Sequence, residues 1–184
     1  MTDYRIPAHR LPEGFRDTVG VKVDEPVPPR PAATIVLLKE GDQGPEVLLL
    51  KRNRQTGFVP GAYVFPGGRV DRSDGDQVMV DHGLDLDPEA AAARLGLDPE
   101  AEPSAIAYFT AAVREAFEET GVLLVDDDID EQARLLAGRE SLMADDGSFR
   151  DLLEALDVRL SGARIEYIAH WVTPEVEPRR YDTR

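Results

Sequence analysis

Three carboxylates on one short run constrain this chain more than any other feature. Residues 114–121 read Arg-Glu-Ala-Phe-Glu-Glu-Thr-Gly, so Glu115, Glu118 and Glu119 stand at positions i, i+3 and i+4. On a helix these positions share one face, and like charges there repel each other by roughly 0.2–0.5 kcal/mol per pair. A chain gains nothing structurally from this clustering unless a cation lies between the carboxylates. The run therefore indicates either a cation site or a solvated acidic face on a surface helix.

The residues around these acids predict a long and firmly packed helix. Ser104 is a suitable N-cap, and Gly121 is a suitable residue to end the helix with a positive φ. Apolar residues recur between them at i, i+4, i+7 and i+8, which predicts one face directed at the core. These residues are Phe109, Val113, Ala116 and Phe117. The apolar run 122–125 that follows predicts a buried strand.

A glycine turn upstream strengthens the interpretation as a cation site. Residues 63–68 read Tyr-Val-Phe-Pro-Gly-Gly, a short apolar strand that ends in a turn. Two successive glycines let the backbone turn sharply and expose carbonyl oxygens to a ligand or an ion. Because no Cys or His stands near the acidic run, the oxygen ligands favour Mg²⁺ or Mn²⁺ over zinc.

Together the turn and the acidic run resemble the signature of the Nudix hydrolase family. The residues that carry the resemblance are Gly68, Asp74, Arg114, Glu115, Ala116, Glu118, Glu119, Gly121 and Val122. Asp74 stands where the family usually has Glu, and Ala116 is smaller than the usual aliphatic residue. The segment 75–113 separates the two halves, where the family usually has a short spacer. The resemblance implies an α+β fold, a Nudix-type α/β/α sandwich with a mixed central sheet.

The resemblance also implies the roles of the site residues. Glu118 and Glu119 would be the main ligands of Mg²⁺ or Mn²⁺, joined by the backbone carbonyl of Gly68. Glu115 would be either a further metal ligand or the base that receives the proton of the attacking water. Arg114 would orient the acids rather than touch the substrate, and an ion pair with Glu118 at i+4 is expected in any case. The catalytic residues implied are thus Arg114, Glu115 and Glu118.

A signature split in this way resembles the acyl-CoA diphosphatase-like branch of the family. Residues 58–71, Phe-Val-Pro-Gly-Ala-Tyr-Val-Phe-Pro-Gly-Gly-Arg-Val-Asp, are similar to that branch. Its CoA motif is matched at Leu48, Leu49, Arg52, Gly61, Phe65, Pro66, Gly67 and Gly68, and the chain departs from it at Asn53 and Gly57. Gly57 removes a cation that would meet a CoA phosphate, and the nearby Arg54 could compensate. The substrate-binding residues implied are Arg52, Arg54, Phe65 and Gly67.

The sequence is compatible with three functions. The first is metal-dependent cleavage of CoA or acyl-CoA at its diphosphate. The second is the same chemistry on ADP-ribose or a dinucleotide, which the missing cation at Gly57 keeps open. The third is a non-catalytic Nudix-like ligand sensor, which ranks last because such a protein is expected to lose its helix acids.

The composition of the chain agrees with a small anionic substrate that is recognised locally. The chain has 184 residues, of which 42 % are hydrophobic and 31 % charged, and a formal net charge of −15. This charge argues against nucleic acid or an anionic membrane as a partner. With no Cys, thiol catalysis and disulfides are excluded. Because no apolar stretch is long enough for a signal peptide or a membrane span, we expect a cytoplasmic enzyme; the sequence leaves a homodimer open.

Pro-rich and acidic segments divide the chain. We expect residues 1–30, which are rich in Pro and charge, to form an N-terminal arm, and residues 31–184 to form the Nudix domain. Within it, 72–103 is an acidic insertion with one helix at Pro88–Leu95, capped by Asp87. We interpret the insertion as a solvated surface excursion, with a lid over the substrate as a variant, in preference to a second metal site.

The remaining elements follow from apolar periodicity. Residues 32–39 and 46–52 predict two strands joined by the loop 40–45, and 62–65 predict a third strand. Helices are expected near 129–137 and 149–156.

The C-terminal part predicts a last strand and leaves the sheet short. Residues 164–172 predict a strand, in which a lone residue such as His170 is more often packed or hydrogen-bonded than catalytic. Residues 178–184 read as the approach to another strand. We expect the domain to be C-terminally truncated, because a sheet ending there would expose an edge.

Overall fold

The computed structural model describes residues 14–18, 20–52, 61–125, 129, 132–144 and 146–184. Its strands are β1 Arg30–Thr34, β2 Leu38–Gly41, β3 Gly44–Val47, β4 Leu50–Lys51, β5 Tyr63–Val64, β6 Gly67–Arg69, β7 Trp171–Val172 and β8 Tyr181–Thr183. Its α-helices are α1 Phe15–Thr18, α2 Pro88–Leu95, α3 Ala105–Thr120, α4 Gln132–Met143 and α5 Phe149–Leu156. None of the described helices combines the length and the apolar character that crossing a membrane requires.

The central sheet is mixed, and it places the glycine turn against its longest strand. Its strand order is β6-β1-β8-β7. β1 pairs antiparallel with β6 and parallel with β8, while β7 and β8 are antiparallel. In the β1–β6 register Ala33 stands opposite Gly68, and Thr34 stands opposite Gly67. Strands and helices in this arrangement confirm the predicted α+β class with a mixed sheet.

The predicted long helix is confirmed as α3, with the caps that the sequence indicates. The side chain of Ser104 accepts a hydrogen bond from the Ala107 amide, and Gly121 ends the helix at φ 79°. Small side chains cover the sheet side of α3, where Ala111, Ala112 and Ala116 pack with Ala33 and Ile35. Because these residues are small, the helix backbone can lie close to β1. The smaller residue at 116 thus suits the helix–sheet contact.

The other side of α3 lies in the main core. Phe109, Val113 and Phe117 are buried there, and the Phe117 ring centroid lies 6.3 Å from that of Phe149 in α5. The predicted apolar face is therefore confirmed for these three residues, whereas Ala116, which was predicted to share it, packs on the sheet side.

The insertion 72–103 is part of the core, so its interpretation as a solvated excursion is wrong. Its buried apolar side chains are Met79, Leu84, Ala91, Ala92 and Leu95. Helix α2 has the predicted bounds, with Asp87 accepting from the Ala90 amide, and it packs against α3. The acidic residues of this segment stand mostly on its outer side, while part of its apolar residues fill the interior.

The predicted hairpin and its neighbours are broken into shorter pieces. The strand predicted at 32–39 divides into β1 and β2, and that at 46–52 divides into β3 and β4. The β2–β3 turn is tighter than expected, with Gly41 opposite Gly44. The third strand is confirmed in its central part as β5, which pairs with β4.

Two predicted strands are wrong for most of their length. In 122–125 only Val125 forms a bridge, to Leu160, although Leu123 and Leu124 pack against the core. In 164–172 only Trp171–Val172 pairs with a strand, while Ile165 and Tyr167 still contact the core. Part of each run reaches the core, while Val122, Ile168 and Trp171 stay exposed. Strand formation also needs a ladder partner, which the run itself does not specify.

Helix α4 is longer than predicted, and β8 occupies an inner position. The prediction of a helix at 129–137 stopped before Gly138, but the helix continues through it to Met143. A side chain at Gly138 would overlap Leu152 of α5, so the glycine permits a close helix contact there rather than ending the helix. The final strand, β8, lies between β1 and β7.

The role of the insertion can be tested by removing one of its core side chains. Leu84 is 1 % exposed, whereas Leu136 on α4 is 59 % exposed. We expect Leu84→Ala to lower the free energy of unfolding by about 2–5 kcal/mol, because it leaves a cavity. Leu136→Ala, the matched control, should change it by less than about 0.5 kcal/mol. Urea denaturation measures both changes. If both were equally small, the insertion would not be part of the core.

Candidate active site

Arg114 is the centre around which the acidic groups are arranged. It is 6 % exposed and lies on the third turn of α3. Its Nε donates to Asp74 Oδ1 at 2.8 Å, and its Nη2 donates to Asp74 Oδ2 at 3.0 Å. Nη2 also donates to the Arg69 carbonyl at 2.9 Å. The two halves of the split signature therefore meet through a bidentate ion pair.

The remaining donors of Arg114 hold two of the helix acids. Nη1 donates to Glu115 Oε1 at 3.0 Å and to Glu118 Oε1 at 3.2 Å. All five N–H donors of the guanidinium are thereby used. The predicted ion pair with Glu118 at i+4 is confirmed. Arg114 contacts the acids, as the resemblance implied, whereas its role in catalysis stays a prediction.

Asp74 is placed by a short 3₁₀ turn at the start of the insertion. The turn spans Arg72–Gly75, and Asp74 Oδ2 accepts a hydrogen bond from the Asp71 amide at 2.7 Å. The Asp74 side chain is 2 % exposed. Burial raises the pKa of Asp74, and the hydrogen bonds and charge of Arg114 limit that rise. Burial opposes the charge of Arg114, but Asp74, Glu115 and Glu118 outweigh it, so the pKa of the guanidinium is raised.

Glu115 lies directly against the glycine turn. A methyl group on Gly68 would overlap the Glu115 carboxylate, so the glycine lets this side chain lie directly on the turn. Burial raises the pKa of Glu115; Arg114 opposes the rise, while the charges of Glu118 and Glu119 add to it. A raised pKa makes a carboxylate a stronger base, which is the property that a proton acceptor needs.

Glu119 is fastened to the other glycine of the turn. Its Oε2 accepts a hydrogen bond from the Gly67 amide at 3.2 Å. A side chain on Gly67 would overlap the Ala33 carbonyl and Thr34 of β1, so this position requires glycine. The turn is thus held between β1 and the acidic face of α3.

The structure brings the predicted metal residues close together, but their oxygen atoms do not converge on one ion position. Glu115, Glu119 and Gly68 meet at the turn, while Glu118 is directed to Arg114. Among the described residues, no three carboxylate or imidazole groups are close enough together to ligate one ion as they stand. The donor set is nevertheless entirely oxygen, which fits a hard divalent cation.

Of the predicted substrate residues that are described, Phe65 and Gly67 lie at this turn and Arg52 lies beside β5. Phe65 is 41 % exposed, and Gly67 follows it by two positions. Arg52 is half-buried, and its amide donates to the Ala62 carbonyl at 2.9 Å, which extends the β4–β5 pair. Arg54 lies outside the described residues, as does Gly57.

Several contacts escaped the sequence prediction. The ammonium group of Lys51 lies 5.7 Å from the centre of the exposed Tyr63 ring, one position on each of two paired strands. Arg139 of α4 donates to backbone carbonyls at the end of α3. The cross-strand pattern could have indicated the first contact, but no spacing in the sequence links Arg139 to α3. His170 Nε2 lies 2.6 Å from Asp182 Oδ1, the hydrogen-bonded role expected for a lone strand histidine.

Comparison with known proteins decides the family. The sequence-family model described as the NUDT19 Nudix domain matches residues 28–184 of this chain. This chain belongs to the NUDT19 Nudix domain family. The predicted resemblance to the Nudix hydrolase family is therefore confirmed.

Individual relatives of this Nudix chain are moderately similar. It is 28 % identical to the acyl-coenzyme A diphosphatase NUDT19 of Xenopus laevis over 178 residues, covering 75 % of this chain and 45 % of that protein. It is 35 % identical to the Homo sapiens protein of the same name over 105 residues, covering 45 % of this chain and 27 % of that protein. The chain spans less than half the length of these curated relatives.

A solved structure supports the Nudix fold directly. The crystal structure of a NUDIX hydrolase from Alicyclobacillus acidocaldarius aligns with a TM-score of 0.56 and 30 % sequence identity. The alignment covers 85 % of this chain and 67 % of that chain.

The buried ion pair can be tested with two aspartates of the same segment. Asp74→Asn leaves the buried Arg114 without its bidentate partner, so we expect the free energy of unfolding to fall by about 3–5 kcal/mol. Asp71 lies 3.6 Å from Arg114 Nη2 but has a side chain that is 55 % exposed. Asp71→Asn is therefore the matched control, with an expected loss below about 1 kcal/mol. Chemical denaturation measures the free energy of unfolding of both variants. Equal losses in the two variants would refute the central role of the pair.

The environment of Glu115 predicts a pH dependence of stability. Because burial raises its pKa above the usual 4.5, the folded chain holds this proton to a higher pH than the unfolded chain. This group therefore contributes stability that is present below about pH 4.5 and lost as the pH rises through the folded pKa. Glu115→Gln removes the titration, so the stability of the variant relative to the parent should increase with rising pH.

Denaturation in urea between about pH 5 and pH 8, with a chelator present, measures that difference. Glu89→Gln, on the exposed first turn of α2, is the matched control, because it removes a carboxylate that is far from the buried site. A Glu115→Gln difference that stays constant over this range would show that the carboxylate does not titrate as burial requires.

Proposed function

We propose that this chain is the catalytic domain of a metal-dependent hydrolase that cleaves the diphosphate of CoA or an acyl-CoA. The observation that carries the proposal is the cluster of Glu115, Glu119 and the Gly67–Gly68 turn on a helix organised by Arg114. The names of the Xenopus laevis and Homo sapiens relatives, both acyl-coenzyme A diphosphatases, supply the substrate class. The products would be adenosine 3′,5′-bisphosphate and a phosphopantetheine derivative.

The metal proposed is Mg²⁺ or Mn²⁺. Glu118 and Glu119 would hold it, together with the backbone carbonyl of Gly68, and Glu115 would complete the set or act as the base. A bound divalent cation would neutralise charge on the phosphoryl oxygens and activate water. Its binding would compete with Arg114 for Glu118, because that carboxylate is directed to the guanidinium.

The chain's own residues would divide the remaining work. Arg114 holds Glu115 and Glu118 in fixed rotamers from a buried position, which lowers the entropy cost of positioning them. Glu115 would accept the proton of the attacking water, since the raised pKa of its carboxyl group favours that role. Glu119 would stay near the turn through the Gly67 amide.

Aromatic and basic groups beside the turn would bind the nucleotide. Tyr63 at the start of β5 and Phe65 directly after this strand are both exposed. Exposed rings of this kind can stack with an adenine base. Lys51 and Arg52, with Arg54 as a further candidate, would supply positive charge for the phosphates in a chain whose net charge is −15.

An alternative substrate within the same chemistry is ADP-ribose or a dinucleotide. It is favoured by Gly57, which stands where the CoA motif has an arginine. A hydrolysis panel of CoA, acyl-CoAs, ADP-ribose, NADH and diadenosine polyphosphates, with Mg²⁺ or Mn²⁺ and products identified by mass spectrometry, separates the two. Turnover of the other compounds alone would exclude the CoA assignment, and binding without any turnover would favour a sensor.

The metal ligands can be tested in the same assay. Glu118→Gln and Glu119→Gln each remove a charge while preserving shape. Because even the loss of an outer partner typically costs 10–100-fold, each should lower turnover by at least about 100-fold. Glu140→Gln, an exposed glutamate of α4, is the matched control and should leave turnover unchanged. Near-normal hydrolysis by both site variants would reject this assignment.

A further inference from the structure

The C-terminal end of α3 carries two of the candidate metal ligands and needs partners from outside the helix. The last four carbonyl groups of a helix have no intrahelical partner. Gly121 donates to the Phe117 carbonyl at 2.8 Å, which satisfies one of them. The last turn of α3 contains no basic residue that could interact with its negative end. The carbonyls of Glu118 and Glu119 must therefore be satisfied by another element or by water.

Arg139 of α4 provides this partner. Its Nε donates to the Glu118 carbonyl at 2.9 Å, and its Nη2 donates to the Glu119 carbonyl at 3.1 Å. The stem of the side chain passes beside Gly121, where a Cβ would lie 3.9 Å from Arg139 Cδ. A planar guanidinium that binds two adjacent carbonyls fixes both residues at once and places a positive charge at the helix C-terminus.

The position of Arg139 is itself fixed by packing. Leu135, Arg139 and Leu142 stand at i, i+4 and i+7, so they share one face of α4. Both leucines pack against the main core. Gly138, the residue directly before Arg139, allows α4 to contact Leu152 of α5 closely. Arg139 is thus directed at α3 by the same contacts that hold α4 in the domain.

The two residues that Arg139 holds by their backbone are also held by their side chains. The Glu118 carboxylate accepts from Arg114, and the Glu119 carboxylate accepts from the Gly67 amide. Each glutamate is therefore fixed at both ends. Without the backbone contact, the last turn of the helix would be the part most prone to fray.

We propose that Arg139 is a positioning residue for the metal site, acting through the backbone of Glu118 and Glu119. This role rests on the proposed function, because it assumes that these glutamates ligate the cation. It makes α4, which lies outside the Nudix signature, a part of the site. The side chain acts by keeping the two carboxylates in register with the Gly67–Gly68 turn, and it does not touch the substrate.

The test compares two arginines on the same helix. Arg134 also donates to a backbone carbonyl, that of Ala155 in α5, so Arg134→Ala is the matched control for Arg139→Ala. Mn²⁺ binding to the full chain is measured by electron paramagnetic resonance, and hydrogen exchange of the end of α3 is measured in chelator. Arg139→Lys is included because it keeps the charge but cannot bind both carbonyls with a planar fork.

We expect Arg139→Ala to weaken Mn²⁺ binding by about 10–100-fold, the range seen for outer partners of metal ligands. Exchange of the Gly121 amide should accelerate in the same variant, and Arg139→Lys should fall between it and the parent. Arg134→Ala should match the parent in both measurements.

Two results would overturn the role of Arg139. Both can be distinguished from a failure of the proposed function. One is parental Mn²⁺ affinity in Arg139→Ala while Glu118→Gln loses binding. The other is a lower melting temperature of Arg139→Ala with unchanged metal affinity, which would assign it a structural role alone. If the parent itself bound no Mn²⁺, the proposed function would fail first, and the positioning role would fail with it. Should Arg139→Ala not fold, Arg139→Lys decides by the same criteria.

Discussion

The buried pair of Arg114 and Asp74 is the interaction on which the rest of the site depends. Removing two charges from water is costly, and it is tolerated only where hydrogen bonds satisfy every group. Arg114 meets this condition because all five of its donors are used, by Asp74, the Arg69 carbonyl, Glu115 and Glu118. The pair closes the long insertion onto α3, so two distant parts of the sequence act as one short motif.

Around this pair, helix α3, strand β1 and the glycine turn lie so close together that larger side chains at the contacts would overlap neighbouring atoms. Alanines on α3 let the helix lie near β1, and glycines at 67 and 68 let the turn pass between β1 and the acids. The acidic face therefore meets backbone amides and carbonyls rather than open water alone. The proposed chemistry needs this proximity, since oxygen ligands must come from both the helix and the turn.

Local signals in the sequence were sufficient for helices α2 and α3, but not for the extent of α4 or for the strands. Ser104, Gly121 and Asp87 specify caps that act within a few residues, and the structure confirms α2 and α3. The runs 122–125 and 164–172 contribute residues such as Leu124 and Ile165 to the core, but strand pairing depends on partners elsewhere in the chain. The burial of Leu84 and the reach of Arg139 to α3 likewise depend on tertiary packing. The acids of the site were found by spacing, whereas their contacts with Arg114, Gly67 and Gly68 required coordinates.

The most direct test of the account is a crystal structure with Mn²⁺, using anomalous scattering to locate the ion. The account predicts an ion about 2.0–2.3 Å from carboxylate oxygens of Glu118 and Glu119 and from the Gly68 carbonyl, with Arg114 still bound to Asp74. An ion bound elsewhere, for instance in the cavity of about 540 Å³ that Met79, Asp85 and Leu153 help to line, would contradict it if the carboxylates of α3 remained without metal.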